Sequence, residues 1–248
     1  MSAKSDTKPK LWHFYHAYAP EGKEDIWLPI VTEHANALCL SGLSLSLSKT
    51  YVGVIGSESS AKKISAIFNE YGIKHEICDI QNEGWEQVTL NKLYEFSIGN
   101  EGYVFYAHTK GAFYATANRH TWRRIMTKYL IGRWSEHVLA ISKGFCASGI
   151  FFFPSHPELD NSYIHEPVPL ALTYDIHAST KYHRGFFAGN FWWCNLGIIK
   201  NMGYPSQNSR MDAEAWPNRL KDAVPDGGYM LYDMIPGKWY DWYWMMEP

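Results

Sequence analysis

Tyr103 to Ala107 (YVFYA) is an uninterrupted apolar run, the pattern of a strand covered on both faces, which belongs almost only to parallel sheets flanked by helices. Three further strand candidates precede it: Leu11 to Tyr18 (LWHFYHAY), Tyr51 to Gly56 (YVGVIG) and Lys74 to Ile80. Helices are expected between them over Glu24 to Leu40, over Ala61 to Tyr71, where Ile64, Ile67 and Phe68 fall at helical spacing, and over about Trp85 to Phe96. Ser57-Glu58-Ser59-Ser60 reads as the N-terminus of the second. A β-α-β-α-β-α-β order requires crossover connections, so the expected fold class is α/β, a mostly parallel sheet with helices on both faces. Such sheets take ligands beyond the carboxyl ends of their strands, which places the expected site beside His108.

Downstream the pattern loosens. A long helical region is expected over Arg119 to Ser142, a strand over Cys146 to Phe153, a loop over Pro154 to Tyr182, a strand or loop over Phe186 to Trp193, and helices over Asn195 to Met202 and Ala213 to Lys221. Trp239 to Met246 (WYDWYWMM) is strongly aromatic. No linker composition divides residues 11–248, which read as one domain behind a polar, disordered tail over residues 1–10.

With 23 Lys+Arg against 25 Asp+Glu, the chain offers no broad basic surface for a nucleic-acid strand. Its 11 Trp, 17 Tyr and 12 Phe supply flat faces on which sugars and bases stack, as well as core volume. The four cysteines form no C-x-x-C pair, which disfavours zinc ribbons and dithiol redox chemistry. Residues 1–10 carry no apolar signal-peptide core and the chain holds no N-x-[ST] sequon, so a cytoplasmic location is expected. No uncharged stretch is longer than the 15 residues of Gly185 to Ile199, against the ~20 needed to span a bilayer. Any membrane contact is expected to be peripheral.

Three constellations carry residue types suited to chemistry. Where the fourth strand ends, His108-Thr109-Lys110-Gly111 can aim an imidazole and an ammonium at one anionic group such as a diphosphate; the same residues also read as a strand cap and a solvated lysine. In Arg184 to Trp193, Asn190 offers donor and acceptor groups to a hydroxyl and Trp192 and Trp193 offer stacking faces, while half of the segment reads equally as core. In Ser209 to Trp216, Glu214 or Asp212 can serve as a general base for an acceptor hydroxyl, or simply as helix-start charge. Eleven histidines show no recognised metal-ligand spacing, and hydrolase, P-loop and dinucleotide signatures are absent from the sequence.

In this order the constellations resemble a group of GT-A-type glycosyltransferases of bacterial and algal-virus polysaccharide synthesis. The group's pattern runs aromatic-x-H-[ST]-K-G, W-R-x-x-M, H-x-G-N-F-W-W and R-x-x-x-E-x-W. Here it appears as Tyr106 to Gly111, Trp122 to Met126, Ala188 to Trp193 and Arg210 to Trp216, with His183 and Arg184 a few residues ahead of the third motif.

The resemblance implies a nucleotide-diphospho-sugar transferase fold and transfer of a sugar from a nucleotide donor to a glycan or lipid-linked glycan acceptor. Lys110 and His108 would face the leaving diphosphate, and Glu214, or else Asp212, would be the base of an inverting reaction. Asn190, Trp192, Trp193 and Arg210 would face sugar or acceptor. Tyr18, Ser57 and Asp79 are the nucleoside-pocket candidates by topology. GT-A enzymes commonly end the fourth strand in Asp-x-Asp, which holds Mg²⁺ or Mn²⁺; here His108-Thr109-Lys110 stands in that place. No metal ligand is therefore assigned, with Asp79 or a histidine left as the alternative holders of an ion. A carbohydrate- or nucleotide-binding module without turnover, and a retaining transferase, are the competing readings.

Overall fold

The apolar runs fold as consecutive strands β1 (Leu11–Ala19), β2 (Leu47–Gly56), β3 (His75–Gln81) and β4 (Tyr103–His108). Between them lie α1 (Glu24–Leu40), a short α2 (Leu43–Ser46), α3 (Glu58–Glu70) and α4 (Gln87–Gly99). The computed structural model describes residues 8–113, 116–150, 152–155, 184–187, 189–208, 210–224 and 231–233. The polar tail up to residue 7, most of the expected loop over Pro154 to Tyr182, and the aromatic stretch Trp239 to Met246 lie outside the described residues.

All four strands run parallel. β1 sits between β2, with Tyr18 opposite Ile55 and Ala19 opposite Gly56, and β4, with His16 opposite His108. The seven-stranded sheet has the order β3-β2-β1-β4-β8-β5-β9. β8 (Trp192–Asn195) lies antiparallel to both β4 and β5 (Ala147–Gly149), and β9 (Leu231–Asp233) returns parallel to β5. The result is a mixed α/β fold whose parallel half matches the expected alternation. Because the chain steps from β1 outward to β3 and then returns to place β4 on the other side of β1, the crevice of the sheet opens at the carboxyl ends of β1 and β4.

Burial follows the two faces of the sheet. Tyr15, Trp27, Phe68, Phe105 and Trp193 pack on the face covered by α1 and α3, and Phe14, Leu90, Tyr106, Trp192 and Trp216 on the other. The adjacent Trp192 and Trp193 enter opposite cores because successive strand side chains alternate. α3 starts where Ser57 accepts a hydrogen bond from the Ser60 amide at 3.2 Å, an N-cap that satisfies one of the orphan donors of a helix start.

Three expected elements are interrupted. The long helix over Arg119 to Ser142 divides into α5 (Ala117–Met126), a π-helical turn (Thr127–Ile131) and α6 (Trp134–Ser142). The wide turn coincides with carbonyls used by side chains: Leu130 O accepts from Trp193 Nε1 at 3.0 Å, and Tyr129 O from His137 Nε2 at 3.2 Å. The strand expected over Cys146 to Phe153 breaks into β5 in the main sheet and β6 (Phe152–Ser155), which pairs antiparallel with β7 (Arg184–Phe187). Gly149 ends β5 where the Phe187 ring leaves no room for a Cβ. α7 (Leu196–Met202) follows β8 directly, capped by Asn195, and the last expected helix is α8 (Met211–Ala215), a 3-10 turn (Trp216–Arg219) and α9 (Leu220–Ala223). Pro217 near the start of that turn supplies no amide to continue α8. Among the described residues no helix is long and apolar enough to cross a membrane.

Candidate active site at the carboxyl edge of the sheet

The turn that ends β4 is pinned from both sides. The Thr109 amide donates to His16 O at 2.9 Å and the Tyr18 amide donates to Thr109 Oγ1 at 2.8 Å, which ties the turn to β1. Lys110 N reaches back to His108 O at 2.7 Å. From α5, buried Arg123 donates through Nη1 to Lys110 O at 3.0 Å and pairs through Nη2 with Glu33 of α1 at 2.8 Å. Arg123 therefore fixes the backbone from which the lysine projects. The Lys110 ammonium lies 4.6 Å from the centre of the Trp122 ring, a cation–π arrangement. Burial pushes its pKa down; the charges of Glu214 and Glu86 act against that, and those of Arg210 and Arg119 add to it.

Behind the lysine lies a carboxyl that sequence reasoning missed. Glu86, on the residue before α4 and 6% exposed, accepts from Tyr106 Oη at 2.9 Å and from Asn190 Nδ2 at 2.6 Å, both at Oε2. Its Oε1 faces His108 Nδ1 at 3.7 Å. His108 Nε2 donates to Gly189 O at 2.8 Å, and burial drives the His108 pKa down to about 3, with Lys110 adding to the fall. On the neighbouring strand His16 hydrogen-bonds Thr89 Oγ1 at 2.9 Å through Nδ1. The visible signal for Glu86 is an acidic residue between the carboxyl end of β3 and α4, and nothing in its local pattern separates it from a solvated helix-start charge.

Asn190 is fully buried and has φ 55°, a left-handed conformation that asparagine tolerates better than most residues. Its Oδ1 accepts from Trp192 Nε1 at 2.8 Å while Nδ2 serves Glu86. Both ends of its amide are occupied within the protein, so Asn190 acts as a clamp on Glu86 where the sequence pointed to a sugar hydroxyl. Trp192 and Trp193 likewise offer no free face. Trp192 stacks on Tyr106 with centroids 5.1 Å apart, and Trp193 lies against Phe105 at 5.1 Å and parallel to His137. At 2% and 0% exposure, both rings are core, the alternative that the sequence had left for part of this segment.

Glu214 projects from α8 with 16% of its side chain exposed and stands 3.9 Å from Arg210 Nη2. Its charge reaches Lys110, His108 and Tyr106, so the second and third constellations close over the first. Asp212 lies in the first turn of α8, half-buried, while Arg210 occupies the cap position. Tyr18 is half-buried at the end of β1, its ring 5.5 Å from that of Phe113. Ser57, one strand over, donates to Glu21 Oε1 at 2.5 Å besides capping α3. Asp79 lies within β3, opposite Gly53 and two residues short of the strand end. The nucleoside candidates thus lie at three depths: Ser57 follows β2, Tyr18 is the last residue but one of β1, and Asp79 is set two residues back from the end of β3.

Where the resemblance puts a metal-holding Asp-x-Asp, the turn presents an ammonium, which is not a metal ligand. Among the described residues no three His, Cys, Asp or Glu side chains are grouped as metal ligands.

No curated protein matches the sequence. Among solved structures, the crystal structure of 4-diphosphocytidyl-2C-methyl-D-erythritol synthase aligns over 97% of this chain and 98% of its own, at 13% identity and a TM-score of 0.45. A family described as a domain of unknown function (DUF8361) matches residues 14–154, more than half of the chain and the part that holds Glu86, His108, Lys110 and Arg123. The protein belongs to the DUF8361 family.

Proposed function

We propose that the protein is a glycosyltransferase of GT-A-like fold that moves a sugar from a nucleotide diphosphate sugar to a glycan or lipid-linked glycan acceptor in surface polysaccharide synthesis. The observation that carries this reading is the placement of Lys110: a half-buried ammonium over the Trp122 ring, on a turn held by Arg123 at the switch point of the sheet. In the proposed reaction Glu214 takes the proton of the acceptor hydroxyl as its oxygen attacks the anomeric carbon. The bond from that carbon to the diphosphate oxygen breaks, and the diphosphate leaves with the electron pair. Lys110 stabilises the charge that develops there, the kind of preorganised electrostatics that contributes most in a dry site. Configuration at the anomeric carbon inverts. Arg210, beside Glu214, orients the base.

A calorimetric and thermal-shift panel of UDP-, GDP-, CDP- and dTDP-sugars tests the donor site, with turnover of the donor that binds as the second readout. Lys110→Ala is expected to lose donor binding. Glu214→Gln is expected to keep donor affinity and cut turnover by about 10²–10⁴-fold, the usual contribution of a positioned base. No binding by any nucleotide sugar sinks the donor site, and full turnover by Glu214→Gln sinks the assignment of the base.

A further inference from the structure

Leu40 and Leu45 are 80% and 91% exposed, the two most exposed large apolar side chains among the described residues. They stand on either side of the Ser41-Gly42 turn, at the end of α1 and in α2. Core packing does not account for them, because Leu38, Leu43 and Leu47 of the same run are the ones that are buried. The stretch 34–48 around them holds no Asp, Glu, Lys or Arg. Single exposed leucines are ordinary on a protein surface, so the neighbourhood of this pair decides its meaning.

That neighbourhood is basic. Between Glu101 and Glu136 the chain carries six Lys and Arg and no acid, in a protein whose formal charge is -2. Arg123 is buried against Glu33, and Arg133 is paired with Glu136. Arg124 of α5 and Lys128 of the π-helical turn are exposed, and among the described residues no carboxylate lies within ion-pair distance of either. The basic run and the leucine pair are joined. Lys128 Nζ and the Arg133 guanidinium lie 5.5 and 5.9 Å from the centre of the Tyr129 ring. The following residue, half-buried Trp134, donates through Nε1 to Ser41 O at 3.1 Å, which sets the α1–α2 turn against the end of the basic run.

Bare leucines beside a tryptophan and unpaired cations match the layers of a bilayer surface. Leucine enters the acyl boundary, indole sits at headgroup level, and Lys and Arg are drawn to anionic lipids. A second copy of this chain fits less well, since a two-fold contact would bring the same cations face to face. We propose that the α1–α2 turn and the outer side of α5 dock on an anionic lipid surface. Leu40 and Leu45 enter the headgroup boundary, and Arg124 and Lys128 meet lipid phosphates. The docking is independent of the donor-site reading. α5 also carries Arg123, which holds the Lys110 turn, so the docked face and the candidate site share one helix.

Co-sedimentation of the full chain with lipid vesicles is the test. The protein is expected to bind vesicles of phosphatidylcholine and phosphatidylglycerol in equal parts, to leave vesicles of phosphatidylcholine alone, and to release as added salt screens the headgroups. Arg124→Gln with Lys128→Gln is expected to weaken binding about 25-fold, roughly fivefold for each cation. Leu40→Ser with Leu45→Ser is expected to weaken it about tenfold or more through the lost apolar burial. All four side chains lie at the surface, so both variants are expected to melt as the wild type does. Lys62→Gln with Lys200→Gln, which removes exposed cations from α3 and α7, is expected to bind like the wild type. Equal binding to the two kinds of vesicle, binding to neither, or undiminished binding by either of the first two variants would overturn the proposal. Light scattering decides the rival occupant: a dimer that Leu40→Ser with Leu45→Ser dissociates would assign the face to a second copy and overturn the lipid docking.

Discussion

At the scale of single residues, the site depends on side chains that never reach solvent. Asn190 is the clearest case. Its two amide ends join Trp192 to Glu86, and its left-handed backbone sets the loop that turns Gly189 O toward His108. Asn190→Asp keeps the shape and the acceptor for Trp192 but removes the donor to Glu86, so two carboxyl oxygens meet in a dry space. A cost of about 2–4 kcal/mol is expected from the lost charge-assisted bond and the new like-group contact, read as a shift in urea midpoint. A loss below about 1 kcal/mol, the level of an ordinary exchanged hydrogen bond, would mean that the Glu86 network is not holding the loop. The sequence singles out Asn190 for its paired donor and acceptor groups, while the left-handed backbone that seats it is visible only in the structure. Its partner is not singled out, since Glu86 lies 104 positions away and only the fold brings them together.

At the scale of elements, the parallel half of the sheet was legible and the second half much less so. The runs at Leu11, Tyr51 and Tyr103 are apolar enough to specify buried strands by themselves, and α1 runs over Glu24–Leu40 as its spacing predicts. Beyond β4, the elements are short and are set by tertiary demands: Trp193 and His137 recruit carbonyls from the turn after α5, and the Phe187 ring ends β5 at Gly149. Local periodicity carries no trace of such contacts. The same dependence makes the packing of α5 against the 189–190 loop a testable joint. Gly189 has φ 87°, and a Cβ there would stand 2.7 Å from Met126 Sδ on α5. Gly189→Ala is therefore expected to cost about 1–3 kcal/mol through overpacking and backbone strain. Adding Met126→Ala should relieve the contact but not the strain. The double variant then melts above the sum of the two single effects, a positive coupling that simple additivity would exclude.

On the scale of the whole molecule, the sheet carries an unusual load of neutral imidazoles. His13 hydrogen-bonds Thr50 at 3.2 Å and His34 at 3.2 Å, the two rings stacked, and His137 hydrogen-bonds Ser148 at 2.6 Å on the other flank. Burial lowers all of them: His13 well below its ordinary value, His34 to about 3, and His16 and His137 to about 4. A histidine whose pKa falls on folding binds fewer protons in the fold than in the unfolded chain. Stability is thus fully present above the unfolded value of 6.5 and is lost as pH drops from there toward 3–4. Each such group contributes a slope of up to about 1.4 kcal/mol per pH unit in that window. With these four and His108, lowered to about 3, acting together against a total stability of ~5–15 kcal/mol, the protein is expected to unfold cooperatively well before pH 4, with its melting temperature falling steeply between pH 6.5 and 5. His34→Phe keeps the stack on Tyr15, where the rings are 4.2 Å apart, and removes one titrating group. It is expected to be less stable at pH 7, because His13 loses a partner, yet to show a shallower decline in acid. Urea melts of both proteins across that range check the sign: equal slopes, or a wild type insensitive to pH between 6.5 and 5, would show that protonation of the buried histidines does not limit the fold.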